Sequence, residues 1–144
     1  MNREMELARL VRFFETISLD SLQGQLAQVY AVDAQFKDPF NEVRGVTDIA
    51  RIFEHMFAQV NAPRFVVTTS VLQGPQAFLT WEFLFQMKRF STETQCILGA
   101  THIIFDADGK VALHRDYWDA AEELYEKLPV LGGLMRWLKR TANR

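Results

Sequence analysis

Apolar residues recur at three- and four-residue spacing in the first part of the chain and at every second residue further on. Leu7, Leu10, Val11, Phe14 and Ile17 alternate with Arg9, Arg12 and Glu15, which predicts an amphipathic helix over residues 3–18 with one face turned inward. A second, shorter helix follows, with Asp20 or Ser21 able to cap it and Leu22, Leu26, Val29 and Tyr30 on its inner stripe, ending near Ala31. The period then changes to two. In residues 34–38 Phe36 opposes its polar and charged neighbours, and Pro39 removes a ladder donor, so a short edge strand is expected. Gly45 and Thr47 open a third helix reaching about Val60, with Ile49, Ile52, Phe53, Met56 and Phe57 inside; Asn61-Ala62-Pro63 stops it.

The remainder is rich in strands, expected at 64–72, 76–89, 93–105 and 110–118. Gln73-Gly74-Pro75 and Asp106-Ala107-Asp108-Gly109 supply turn chemistry between them, and Phe90-Ser91-Thr92 is a short hairpin connection. Consecutive hairpins imply an antiparallel sheet. In the longest strand Leu79, Trp81, Phe83, Phe85 and Met87 share one face. A strongly bent sheet can wrap that aromatic face around the helices. Asp119 can cap a last helix over 120–128, before Pro129, Gly132-Gly133 and a basic end. The order gives an α+β fold: a strongly curved antiparallel sheet around three N-terminal helices, with a C-terminal helical segment. No repeat or linker divides the 144 residues, so one domain is expected over 1–144, with 119–144 as its extension.

Composition narrows the function classes. Hydrophobic residues at 49% and charged residues at 24% are ordinary for a globular domain and argue against disorder. Sixteen Lys and Arg against eighteen Asp and Glu leave a net charge of -2, so no basic field draws nucleic acid. The single Cys96 excludes an internal disulfide framework, and the charged opening Arg3-Glu4-Met5-Glu6 does not resemble a secretion signal; a cytoplasmic location is expected. His55, His102 and His114 lack compact ligand spacing, so no metal is expected. No nucleophile elbow or phosphate loop is present either.

Two stretches carry a family resemblance. Val29-Tyr30-Ala31-Val32-Asp33-Ala34-Gln35-Phe36-Lys37-Asp38-Pro39-Phe40, followed by Arg44-Gly45-Val46-Thr47-Asp48-Ile49, resembles the nuclear transport factor 2-like superfamily, particularly its SnoaL-like and ketosteroid-isomerase-like branches. The ending from Gly109 through His114-Arg115-Asp116-Tyr117-Trp118-Asp119 looks SnoaL-like too. The resemblance covers nearly the whole chain and is far more specific for fold than for chemistry. It implies a cone whose interior binds a small apolar molecule, polyketide- or steroid-like, and commonly a homodimer through the outer sheet face. It also places Asp38 where the isomerase branch keeps its proton-shuttling carboxylate. By the same register the partners of that carboxylate are replaced, by Phe14, Phe53 and Thr101. Losing one oxyanion donor costs on the order of 100- to 1000-fold in rate, so authentic ketosteroid isomerisation is not expected.

Candidate catalytic residues are therefore Asp38, as base, with His114 and Asp116 as an acid/base or orienting pair. No cofactor is implied. Asp38 also has a structural reading, as a carboxylate that ends a strand and caps neighbouring amides. His114, Asp116 and Trp118 lie at i, i+2 and i+4, hence on one strand face, which the resemblance turns into the cone. Tyr30, Phe14, Phe53, Trp81, Phe83, Thr101 and Trp118 are the expected ligand wall, with Tyr30 able to donate to a ligand oxygen. A noncatalytic binding or interaction module is the alternative. Finally, Lys127, Arg136, Lys139, Arg140 and Arg144 punctuate an apolar end containing Trp137. That segment can close the cone mouth, meet a second subunit or lie on an anionic membrane.

Overall fold

The computed structural model describes residues 2–89 and 92–119, so the expected helix at 120–128 and the basic end lie outside the described residues. Asn2 accepts the amide of Met5 at 2.8 Å and starts α1 (Arg3–Glu15), which buries Leu7, Leu10, Phe13 and Phe14. Its opposite end stops short of the expected boundary, although Ile17 still packs into the core. The expected second helix is two short ones. Ser18, rather than Asp20 or Ser21, caps α2 (Leu19–Gly24) through a reciprocal bond pair with Ser21, and the chain re-enters a helix as α3 (Leu26–Val29). Gly24 is a poor helix interior residue, and the break falls just after it, at Gln25.

Tyr30 consequently begins a strand instead of finishing a helix. Strand β1 (Tyr30–Lys37) pairs antiparallel with the short β2 (Glu42–Arg44), and α4 (Val46–Gln59) follows. The long strands are β3 (Val60–Gln73), β4 (Gln76–Met87), β5 (Thr94–Phe105) and β6 (Val111–Tyr117). One six-stranded sheet has the order β2-β1-β6-β5-β4-β3. The hairpins from β3 to β6 are antiparallel, as the turns predicted, but β1 lies parallel to β6. A parallel pair needs a long crossover, and here the intervening chain supplies it. The tripeptide Asn61-Ala62-Pro63 does end the helix, yet it forms the bulged start of β3 rather than a loop. Ala62 adopts φ 50° and register is lost between Asn61 and Arg64, where Pro63 has no ladder donor to lose.

Alternation on the strands divides core from surface. Leu79, Trp81 and Phe85 of β4 face Ile97, Thr101, Ile103 and Phe105 of β5, all buried, and α1 and α4 pack over them with Leu10, Phe14, Ile49 and Phe53. Trp81 lies directly opposite Gly99, and its indole lies where any Cβ at position 99 would be. That glycine is what lets the ring fold flat across the neighbouring strand. At the other end of β5 the turn 106–109 is tied to α1: Arg3 donates to the Asp106 carbonyl at 3.0 Å and Arg9 to that of Gly109 at 2.8 Å. The helix is thereby held across the concave face.

Candidate active site

Strand β6 presents His114 and Asp116 on its inner side. His114 is 3% exposed and packed by Phe14, Tyr30 and Phe36, with ring centroids 5.5, 5.9 and 4.5 Å away. The Tyr30 hydroxyl lies 2.6 Å from Nδ1, and Nε2 lies 2.7 Å from Oδ1 of Asp116. That oxygen also accepts the Thr101 hydroxyl at 2.6 Å, and Thr101 in turn accepts the indole N–H of Trp81 at 2.7 Å. Five side chains from four strands thus form one continuous thread. Its direction follows from chemistry. Complete burial, and secondly the Asp116 charge, push the Tyr30 phenol well above its ordinary pKa, so it keeps its proton and donates to Nδ1. His114 is left to donate through Nε2–H, so the thread runs donor to acceptor from both ends, and its last donors, His114 and Thr101, meet on Asp116 Oδ1.

Asp38 sits just beyond the end of β1, in the turn to β2. Its Oδ1 accepts the backbone amides of Phe40 and Asn41 at 2.8 and 2.6 Å, while the Asn41 side-chain amide reaches both oxygens at 3.1 and 3.0 Å. So the amide-capping reading is correct as geometry. Even so, the Asp38 pKa is raised to about 6: burial raises it most, Asp116 raises it further, and the bonds from Asn41 and Phe40 lower it only in part. A carboxyl tuned into this range can exchange a proton near neutral pH.

Asp116 borders two hollows. An open cleft of about 550 Å³ at the ends of β1 and β6 is lined by Asp38, Pro39, Asp116, Tyr117, Trp118 and the charged Lys37, Arg115 and Asp119. A second, inner cavity between Phe14, Phe53, Phe65, Trp81, Thr101 and the His114–Asp116 pair measures about 20 Å³. The cleft has the volume of a small-molecule site, whereas the inner cavity has room for about one water.

The sequence-derived residues therefore divide into groups. Asp38, Asp116 and Trp118 meet at the cleft. Phe14, Phe53, Trp81 and Thr101 wall the small inner cavity, and Phe83 stacks on Phe65 at 4.7 Å beside it. Tyr30, expected to reach a ligand, is wholly buried with its hydroxyl on His114. Sequence reasoning missed Asn41, Phe65, Gly99 and Phe40, which lies 5.6 Å from Trp118. The Asp-Pro-x-Asn spacing was a usable signal for Asn41, since such side chains close turns on nearby amides. Among the described residues no group of three or more His, Cys, Asp or Glu could hold a metal, and no helix is long and apolar enough to cross a membrane.

A six-stranded curved open sheet with helices packed across one face is the cone fold of the NTF2-like class. Within that class the chain belongs to the SnoaL-like domain family, whose model matches residues 10–114. No curated protein matches the sequence. Similar solved structures include a SnoaL-like polyketide cyclase, so named, from Shewanella putrefaciens: 15% identity, TM-score 0.70, with 88% of this chain and 96% of that one covered. An Agrobacterium tumefaciens protein named as an isomerase of the SnoaL-like family has 16% identity and TM-score 0.65, over 83% of this chain and 99% of that one. A Catenulispora acidiphila protein with a ketosteroid isomerase-like fold, in complex with trimethylamine, has 12% identity and TM-score 0.70, over 85% and 91%. At these identities the likeness shows the fold.

Proposed function

We propose that this SnoaL-like protein binds a small, largely apolar carbonyl compound at the cleft between the ends of β1 and β6 and moves a proton at carbon without a cofactor. The observation that carries the reading is Asp38, a carboxyl raised to about 6 and facing the same cleft as Asp116 and Trp118. In the reaction the ionised Asp38 removes a proton from the carbon next to a carbonyl. The C–H electron pair moves onto the carbonyl oxygen, giving an enolate and a neutral Asp38. Returning that proton at another carbon isomerises the substrate; alternatively the enolate carbon attacks a second carbonyl, whose π pair moves onto its oxygen, and that alkoxide takes the proton back from Asp38, which cyclises the substrate. Two neighbours in the same fold bear the names isomerase and polyketide cyclase, which supports this class of chemistry.

Thr101 and Tyr30 are committed to the thread and offer no free donor to an enolate oxygen. A substrate whose C–H lies between two carbonyls suits such a site better than a simple ketone, because its enolate is stabilised within the molecule. Poly-β-keto compounds are of this kind. His114 and Tyr30 then serve as positioning residues that fix Asp116. Asp38→Asn should slow deuterium exchange at the central carbon of a bound 1,3-diketone by roughly 100- to 10,000-fold, with fold and ligand affinity retained. Unchanged exchange would exclude Asp38 as the base.

A second reading, an interaction module assembled as a homodimer, is favoured by the outer sheet face. Val71, Phe78, Leu98 and Tyr117 are each half exposed there, and Phe78 stacks on His102 at 4.5 Å. Phe78→Glu combined with Leu98→Glu should convert a dimer to a monomer in analytical ultracentrifugation; a double variant that sediments like the parent would remove this face from consideration.

A further inference from the structure

Asn41 makes all but one of the hydrogen bonds to Asp38 within its turn. Asn41 is itself 5% exposed; its backbone N–H and its side-chain amide both donate to the Asp38 carboxyl, and its carbonyl accepts the Asp38 amide at 2.9 Å. The remaining atom of that side chain, Oδ1, is buried with no hydrogen-bond partner among the described residues. Flipping the amide would not relieve this, because it would set Oδ1 against the carboxyl oxygens. An unpaired buried acceptor is a cost that a purely structural turn has no reason to carry. What it secures is the opposite edge of the amide, whose N–H group spans both carboxyl oxygens. Oδ1 of Asp38 takes two backbone amides as well, so Oδ2, with Asn41 Nδ2 as its one hydrogen-bond partner among the described residues, is left as the less encumbered oxygen.

We infer that Asn41 is a positioning residue for Asp38: it fixes which of the carboxyl oxygens is presented to the cleft. This rests on the proposed role of Asp38 as the proton-transferring group. Its electrostatic surroundings are shared with Lys37 on β1, Arg115 and Asp116 on β6, and Asp119 beyond it, all of which line the same cleft. Lys37 lies 3.7 Å from Glu42, and Arg115 lies over the Tyr117 ring at 4.8 Å. Asp116 is the neighbour whose charge raises Asp38.

The test is the titration of the Asp38 side-chain carbon by NMR in the full chain, which needs no substrate. In Asn41→Ala the backbone amide remains and the side-chain donors go, so the Asp38 midpoint should rise by roughly one pH unit, the size of one charge-assisted bond. Asn41→Ser, which keeps a donor, should rise by less. If Asn41 only braced the turn, its loss would let Asp38 swing into water and the midpoint would fall towards the ordinary carboxyl value. A fall, or an unchanged midpoint in a variant with a native amide spectrum, overturns the proposal. Should Asn41→Ala unfold the chain, the Ser variant alone decides by the same sign. These outcomes are separate from the fate of the catalytic reading, which deuterium exchange by Asp38→Asn settles.

Discussion

The inner thread and the Asp38 turn sit side by side yet are satisfied in opposite ways. In the thread, Trp81, Thr101, Asp116, His114 and Tyr30 come from β4, β5, β6 and β1, so each bond joins two strands, 15, 20 or 84 positions apart in sequence, apart from the His114–Asp116 contact. In the turn, every bond to Asp38 comes from residues two or three positions on. Bonds between strands make the thread part of the fold; local ones leave the turn to satisfy its polar groups by itself. The buried orphan acceptor and the carboxyl shifted upwards both fall in the turn. Buried histidines invite a catalytic reading, but here the histidine has both ring nitrogens bonded, and Asp38 is the carboxyl whose proton affinity is raised.

The largest effect that separates the two regions is on stability. His114→Ala removes a ring enclosed by three aromatic side chains and strands the Tyr30 hydroxyl in the core. Cavity formation and a lost buried partner together should cost about 4 kcal/mol in denaturant unfolding. The matched truncation in the turn, Asn41→Ala, removes side-chain bonds next to a turn that keeps its backbone bonds, and about 1 kcal/mol is expected. Equal losses at the two positions would erase the distinction between framework and turn.

Much of this arrangement is visible in the amino-acid pattern. The helical spacing of Leu7, Leu10 and Phe14, the alternation through Leu79, Trp81 and Phe85, and the Asp106–Gly109 turn are local signals, and each is where the pattern placed it. Period two likewise put His114 and Asp116 on one face. What the pattern could not carry was pairing between distant segments. Tyr30 reads as a helical residue because its apolar spacing continues that of Leu22 and Leu26. Its strand conformation comes from parallel pairing with β6, across a register shift between Tyr30 and Gln35. The contact between Tyr30 and His114 spans 84 positions and depends on that pairing. Gly99 was legible in principle, since an isolated glycine within a strand signals a close approach, but only the fold identifies the Trp81 indole as what approaches.

A smaller effect sharpens the comparison through pH. Asp38 has a pKa raised from 3.8 to about 6 in the folded chain. Its neutral form is favoured by folding, so its contribution to stability is complete below about 3.8, declines as pH rises through about 6, and is gone above that. Between pH 4.5 and 7.5 this amounts to roughly 2 kcal/mol, at about 1.4 kcal/mol per unit. Asp38→Asn cannot ionise, so its unfolding free energy should fall less over that interval than the parent's, by about that difference. Other carboxyls titrate in both proteins, and the comparison cancels them. Tyr30→Phe, a change in the thread, should leave the pH dependence close to that of the parent while lowering stability at every pH. Were the Asn variant and the parent to run parallel from pH 4.5 to 7.5, Asp38 would have to be as well solvated in the folded chain as in the unfolded one, and the turn would no longer be the place where proton affinity is set.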